Sequence, residues 1–251
     1  MLNEKVILIT GATSGIGAST AKLLASQGAK VMLFGRNEER ANQVMAEIVA
    51  GGGVADVCIG DVARSSAADS AVAKTVESFG RLDALVNAAG MIYRGNADQT
   101  SDEQWRTSMA TNVDGSFFMS RAAVRAMKDG GSIVNFASTC GLVGAAGLTA
   151  YCVTKGAVVQ MTRAMALDHA EENIRVNSVC PGAVDTPMLV SGHERSGATP
   201  DEVFEKNTAG IPQGRIPQPE EIANLVAFLC SDLSRHITGT NIPVDGGYTA
   251  R

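Results

Sequence analysis

Short apolar runs rich in Val and Ile recur along the chain, separated by longer stretches whose apolar residues return every three or four positions. The runs predict strands at 5–10 (KVILIT), 30–34 (KVMLF), 54–59 (VADVCI), 83–87 (DALVN), 132–137 (SIVNFA), 174–179 (IRVNSV) and 240–244 (TNIPV). They are nearly continuous in apolarity, which is what a strand covered on both faces needs. Helix-period segments lie at 15–27, 37–50, 65–79, 102–128, 151–171 and 219–231. Strand–helix alternation through the whole chain implies right-handed crossovers. The expected fold class is α/β, one doubly wound parallel sheet with helices on both faces. No Pro/Ser-rich linker or internal repeat divides the chain, so one domain over 1–251 is expected.

Residues 186–214 break the pattern. They contain Thr186, Pro187, Gly192, Gly197, Pro200, Gly210, Pro212 and Gly214, with a short helical signal only around 200–207. A loop this long inside a compact domain reads as a lid or binding loop. It follows the C-terminal end of a strand, the side on which open α/β sheets bind ligands.

Composition narrows the picture. The chain has 251 residues, 45% hydrophobic and 19% charged, with a net charge of −5. An acidic chain without a Lys/Arg run offers no stripe for nucleic acid. Five cysteines, at 58, 140, 152, 180 and 230, form no C-x-x-C pair or disulfide framework, so a reducing cytoplasm is expected. The start, MLNEKVILIT, sets an acid beside its lysine and enters a strand at once, unlike a signal peptide. No apolar run reaches the roughly 18 residues of a membrane span.

The chemistry begins after the first strand, in TGATSGIG at 10–17. Gly11, Gly15 and Gly17, with Ser14 and Ile16, would let the chain turn sharply and bring backbone N–H groups against a pyrophosphate at a helix N-terminus. A tight strand–helix turn is the plainer reading, but the position in a βαβ unit favours a dinucleotide. NAD sites place a carboxylate at the end of the second strand. This chain reads Phe34-Gly35-Arg36-Asn37 there instead. Gly35 leaves space and Arg36 supplies a planar cation suited to a 2′-phosphate, so NADP(H) is favoured, with NAD(H) the alternative. Arg36 as a solvated helix-start residue is the competing reading.

Further on, Tyr151 and Lys155 stand at i, i+4 on one helix face, and Ser138 ends the fifth strand. A free tyrosine has a pKa of about 10, and a nearby ammonium favours the phenolate. The pair therefore suits proton transfer, with the Ser138 hydroxyl holding a substrate oxygen.

TGATSGIG at 10–17, NAAG at 87–90, Asn112, Ser138, YCVTK at 151–155, PG at 181–182 and DGG at 245–247 together resemble the short-chain dehydrogenase/reductase family. The likeness runs from residue 4 almost to the end. It implies a seven-stranded Rossmann sheet of order 3-2-1-4-5-6-7 and a homotetramer. It also implies roles: Tyr151 as general acid/base, Lys155 binding the nicotinamide ribose and lowering the tyrosine pKa, and Ser138 orienting the substrate oxygen. Asn112 resembles the residue that anchors a water in the proton relay. Asn87, Ala88 and Gly90 look like the wall beside the adenine ribose, and Asp61 with Val62 like the adenine contact. Pro181, Gly182 and Val184 resemble the segment that holds the carboxamide, with Thr186 assisting.

Other residues are discounted. His169, His193 and His236 are too dispersed for a metal; His169 reads as surface, and His193 lies in the lid. Cys140 and Cys152 flank the site but read as small buried hydrophobes. Arg94 would serve a carboxylate- or phosphate-bearing substrate, although a solvent-facing loop arginine is the commoner case. The leading expectation is an NADP(H)-dependent oxidoreductase interconverting a secondary alcohol and a ketone. The alternatives are an NAD(H)-dependent alcohol or sugar dehydrogenase, an inactive nucleotide sensor of the same fold, and a sugar-nucleotide epimerase or dehydratase, for which the chain is too short.

Overall fold

The computed structural model describes residues 2–191 and 198–250. Seven strands form one parallel sheet: β1 (Val6–Thr10), β2 (Lys30–Gly35), β3 (Val54–Ile59), β4 (Ala84–Asn87), β5 (Gly131–Phe136), β6 (Ile174–Pro181) and β7 (Asn241–Val244), in the order β3-β2-β1-β4-β5-β6-β7. This is the order that the resemblance implies.

Side chains on β1 alternate, as the pleat requires. Ile7 and Ile9 pack toward α1 (Gly15–Ser26), α2 (Glu38–Ala50) and α9 (Pro219–Cys230), with Leu24, Val44, Ile48 and Val226. Leu8 packs on the other face toward α3 (Ser65–Phe79), α5 (Gly115–Ala126) and α6 (Thr149–Asp168), with Ala68, Val72, Met119 and Met165. Both faces are covered, which is why the inner strands are predominantly apolar and their polar residues, such as Asn87 and Asn135, are buried and hydrogen-bonded. The edge strands are not. On β3, Val54 and Ile59 are exposed, and β7 carries Pro243, whose missing N–H an edge tolerates.

Two segments differ from expectation. The predicted helix at 102–128 is α4 (Asp102–Met109) and α5 joined by a π-turn at Ala110–Asp114. Such bulges leave no Gly or Pro signature, and they occur often at functional sites. The lid is more ordered than its composition suggests. It holds α7 (Pro187–Val190) and α8 (Pro200–Ala209), the latter started by a reciprocal Thr199–Glu202 cap. Gly192, His193 and Gly197 lie outside the described residues. Among the described residues no helix is long and apolar enough to cross a membrane.

The strand order reverses between β1 and β4, so the loops after these strands diverge and leave a crevice at their C-terminal ends. The candidate site lies there.

Candidate active site

A cleft of about 1310 Å³ runs from the end of β2, over the β1–α1 turn, to the lid. It is larger than most single-ligand pockets, which reach about 1,000 Å³. The β1–α1 turn is shaped by missing side chains. Gly11 has a φ of +66°, and a Cβ there would lie 2.7 Å from the Ala89 amide nitrogen. A Cβ on Gly17 would collide with the Gly11 carbonyl oxygen. The turn is tied to β4 by the Ala89 amide, which donates to Thr10 Oγ1 at 3.1 Å. The first turn of α1 carries no acidic side chain, and Ser14 does not cap it. The first turns of α2, α4, α8 and α9 all carry acids. An uncapped, acid-free N-terminus beside a glycine cradle fits a pyrophosphate.

At the β2 end, Arg36 and Arg40 are exposed and both line the cleft. Asn37 is occupied locally: its Oδ1 accepts the Arg40 amide at 2.8 Å and starts α2. The space expected at Gly35 is filled, because a Cβ there would lie 2.7 Å from Thr13 Cγ2. Gly35 is thus required by the glycine-rich turn packing on β2. Arg40 was not anticipated; only folding of α2 brings it beside Arg36.

At the other end, β5 runs into Ser138, which caps a tight turn at 139–141 by accepting the Cys140 amide at 3.1 Å. A Cβ on Gly141 would lie 2.6 Å from the Lys155 carbonyl oxygen, so glycine permits this turn to press against α6. That contact holds Ser138 and Tyr151 on the wall of the same cleft. Burial pushes the Tyr151 phenol well above its ordinary value, Cys140 adds to the rise, and the Ser138 hydroxyl opposes it. Lys155 is buried, its Nζ 5.6 Å from the Tyr151 ring centre and donating to the Phe136 carbonyl at 2.7 Å. Burial lowers its pKa to about 8. The expected depression of the tyrosine by this ammonium is not what the geometry delivers: desolvation outweighs it.

Asn112 sits in the π-turn, 1% exposed. Its Oδ1 accepts the Met91 amide at 2.9 Å, and its Nδ2 donates to the Met91 carbonyl at 2.9 Å and to Thr154 Oγ1 at 3.0 Å. Its side chain therefore braces the loop after β4 against α6, with both Nδ2 hydrogens engaged and one Oδ1 lone pair still open. Asn87 also departs from expectation. Its side chain turns into the core, where Nδ2 donates to Asn135 Oδ1 and to Ser120 Oγ, both at 2.9 Å. The neighbouring Ala88 and Gly90 do line the cleft.

Asp61, Val62, Pro181, Gly182, Val184 and Thr186 all line the wall, as do Gly11, Ser14, Gly15, Ile16 and Gly17. Thr186 meets the β1–α1 turn: a Cβ on Gly15 would lie 3.3 Å from Thr186 Cγ2. Cys140 and Cys152 are only partly buried, so the expectation of small core residues is corrected, and Cys140 faces the cleft. His169 Nδ1 lies 3.3 Å from the Glu172 carboxylate, to which its N–H can donate, just beyond α6 and away from the cleft. His193 lies outside the described residues. Lys206, Asn207, Ile211, Asp245 and Tyr248 complete the lid end. The helical signal around 200–207 foreshadowed α8, but only the folded chain brings it and the C-terminal segment against the cleft.

The family model described as enoyl-(acyl carrier protein) reductase matches residues 11–249. Over 98% of both chains, the protein is 43% identical to an uncharacterized oxidoreductase of Thermotoga maritima. It is 40% identical to a 2,5-dichloro-2,5-cyclohexadiene-1,4-diol dehydrogenase of Sphingobium indicum, over 99% of this chain and 97% of that one. It is 41% identical to the meso-2,3-butanediol dehydrogenase of Serratia marcescens, over 99% and 96%. Among solved structures, a variant of actinorhodin polyketide ketoreductase with NADPH superposes with a TM-score of 0.94 at 35% identity, covering 100% of both chains. A short-chain type dehydrogenase/reductase from Mycobacterium marinum gives 0.92 at 34%, over 100% of this chain and 97% of that one. With the crevice at the β1/β4 switch point and likeness along its whole length, the chain belongs to the short-chain dehydrogenase/reductase family and is an NAD(P)-binding oxidoreductase that acts on CH–OH groups.

Proposed function

We propose that the protein interconverts secondary alcohols and ketones with NADP(H), using Tyr151 as general acid/base. The observation that carries this reading is the buried Lys155 ammonium held 5.6 Å from the Tyr151 ring centre, with Ser138 on the wall of the same cleft. The nicotinamide supplies hydride donation to, or acceptance from, the substrate carbon. Ser138 holds the substrate oxygen. Tyr151 gives its proton to that oxygen when the ketone is reduced and takes it back when the alcohol is oxidised. Lys155 holds the end of β5 through Phe136 and keeps a cation behind the ring. The apolar walls exclude water, so proton transfer is confined to the phenol.

Arg36 and Arg40 support the NADP(H) preference, since neither makes an ion pair with an acid among the described residues. The diol dehydrogenases among its relatives support a diol or cyclic secondary alcohol as substrate. Exposed Phe117, Val153 and Leu167 on α5 and α6 support homotetramer assembly through these helices. Five free cysteines support a reducing cytoplasmic location.

The test is a pH profile in both directions with 2,3-butanediol, cyclohexanol and their ketones. A raised Tyr151 pKa keeps the phenol protonated at neutral pH. Reduction should therefore be flat from pH 6 to about 9, whereas oxidation should climb steadily with pH. A flat oxidation limb would remove Tyr151 as the base, and faster turnover with NADH would reverse the cofactor assignment.

A further inference from the structure

The cleft is electrically unlike the chain that forms it. The protein carries a net charge of −5, yet among the described residues the cleft wall presents Arg36, Arg40, Arg94, Lys155 and Lys206 against only Asp61 and Asp245. The first two cations stand at the β2 end, and Lys155 is held by Phe136. Both carboxylates are occupied. Asp61 accepts the Ala63 amide, and Asp245 accepts the Gly247 amide together with the Thr249 amide and hydroxyl. At the lid end this leaves Arg94 and, at the exposed rim, Lys206.

Arg94 is half-buried on the cleft wall and pairs with no acid among the described residues. Its Nε donates to the Ser191 carbonyl at 3.1 Å and its Nη2 to the Leu189 carbonyl at 3.2 Å. Those acceptors are neutral, and no carboxylate bridges to it among the described residues. A guanidinium has five N–H donors, so donors remain for the cleft. A half-buried guanidinium on a cleft wall, with no counter-charge among the described residues, is suited to an anionic ligand. Arg94 and Tyr151 line the same cleft, so an anion held by Arg94 shares the cavity with the phenol. The surrounding wall, with Ile92, Val143, Leu148 and Met188, is apolar.

We propose that the substrate is a hydroxy or oxo acid with an apolar, ring-sized body, and that Arg94 recognises its carboxylate. This rests on the alcohol/ketone reading above. A single forked guanidinium matches the two oxygens of a carboxylate. Arg94 then couples recognition to the lid, because the same side chain holds the α7 backbone.

The experiment compares 4-oxocyclohexanecarboxylate with its methyl ester and with cyclohexanone, using the holoenzyme and NADPH or NADH. The acid should exceed the ester in kcat/KM by about ten- to a hundredfold, the range of a charge-assisted hydrogen bond. Arg94→Gln should bring that ratio close to one, Arg94→Lys should leave an intermediate ratio, and added salt should shrink it. An ester used as well as the acid, or an Arg94→Gln that slows acid and ester equally, would overturn the proposal and leave Arg94 as a lid tether. A 4-oxocyclohexyl phosphate preferred over the carboxylate would overturn the choice of anion. Calorimetric binding of the unreactive cyclohexanecarboxylate separates this claim from the enzymatic one. Binding at least tenfold weaker in Arg94→Gln upholds the anion site even if no ketone turns over, and equal binding overturns it.

Discussion

At the β1–α1 end of the cleft the wall is main chain: Gly11, Gly15 and Gly17 stand where a side chain would strike Ala89, Thr186 or Gly11 itself. At the lid end the wall is side chain, drawn from the loop after β4, the turn after β5, α7, α8 and the C-terminal segment. The first is assembled from neighbours in sequence and the second from residues distant in sequence, from Met91 to Tyr248, as in the bond from Arg94 to the Ser191 carbonyl. A backbone cradle recognises what every dinucleotide shares, whereas a side-chain wall is free to vary with the substrate. The Ser138, Tyr151 and Lys155 group lies between them and needs both.

The largest effect expected is at that junction. Tyr151→Phe keeps the ring but removes the transferable proton, so kcat should fall by about a hundredfold or more while cofactor affinity is retained. Steady-state rates with a fluorescence titration of NADPH check this, and near-normal turnover would detach the tyrosine from the chemistry.

Lys155→Met is the next. The native ammonium has a pKa of about 8, against about 10.5 when unfolded. Below pH 8 both states are protonated, and burial of the charge costs the fold on the order of 3 kcal/mol. Between pH 8 and 10.5 the unfolded chain holds the extra proton, so wild-type stability should rise with pH relative to Lys155→Met. Urea unfolding of both proteins at pH 7.5 and 9.5 measures this, and a constant difference would show that Lys155 is not neutralised.

At the cradle end, Arg36→Ala should cut the preference for NADPH over NADH about ten- to a hundredfold in kcat/KM, and Arg40→Ala by less. Unchanged selectivity in both would place the 2′-phosphate elsewhere. Gly35→Asp is a poor test, since its side chain must displace Thr13.

The smallest effect separates core from cleft. Asn87→Ala breaks a buried polar network and should cost about 1–3 kcal/mol of stability, with NADPH affinity kept once the protein is folded. Loss of affinity at unchanged melting temperature would return Asn87 to the cofactor wall.

Much of this was legible in the residues. The inner strands are predominantly apolar, and the glycines cluster directly after the first strand, where a helix begins. The i, i+4 spacing of Tyr151 and Lys155 places both on one face of α6. These are facts of period and local spacing, readable along the chain. The edge character of β3, the π-turn at Asn112, the inward turn of Asn87, the approach of Arg40 to Arg36 and the lid's hold on Arg94 were not legible. Each depends on which distant atoms fill the space beside a residue: Thr13 against Gly35, Met91 against Asn112, Asn135 against Asn87. The sequence by itself determined the element order, the dinucleotide cradle and the residue types of the reaction. The tertiary structure decided whether each polar group is spent on the fold or left for a ligand, because desolvation and hydrogen-bond pairing are properties of the packed neighbourhood.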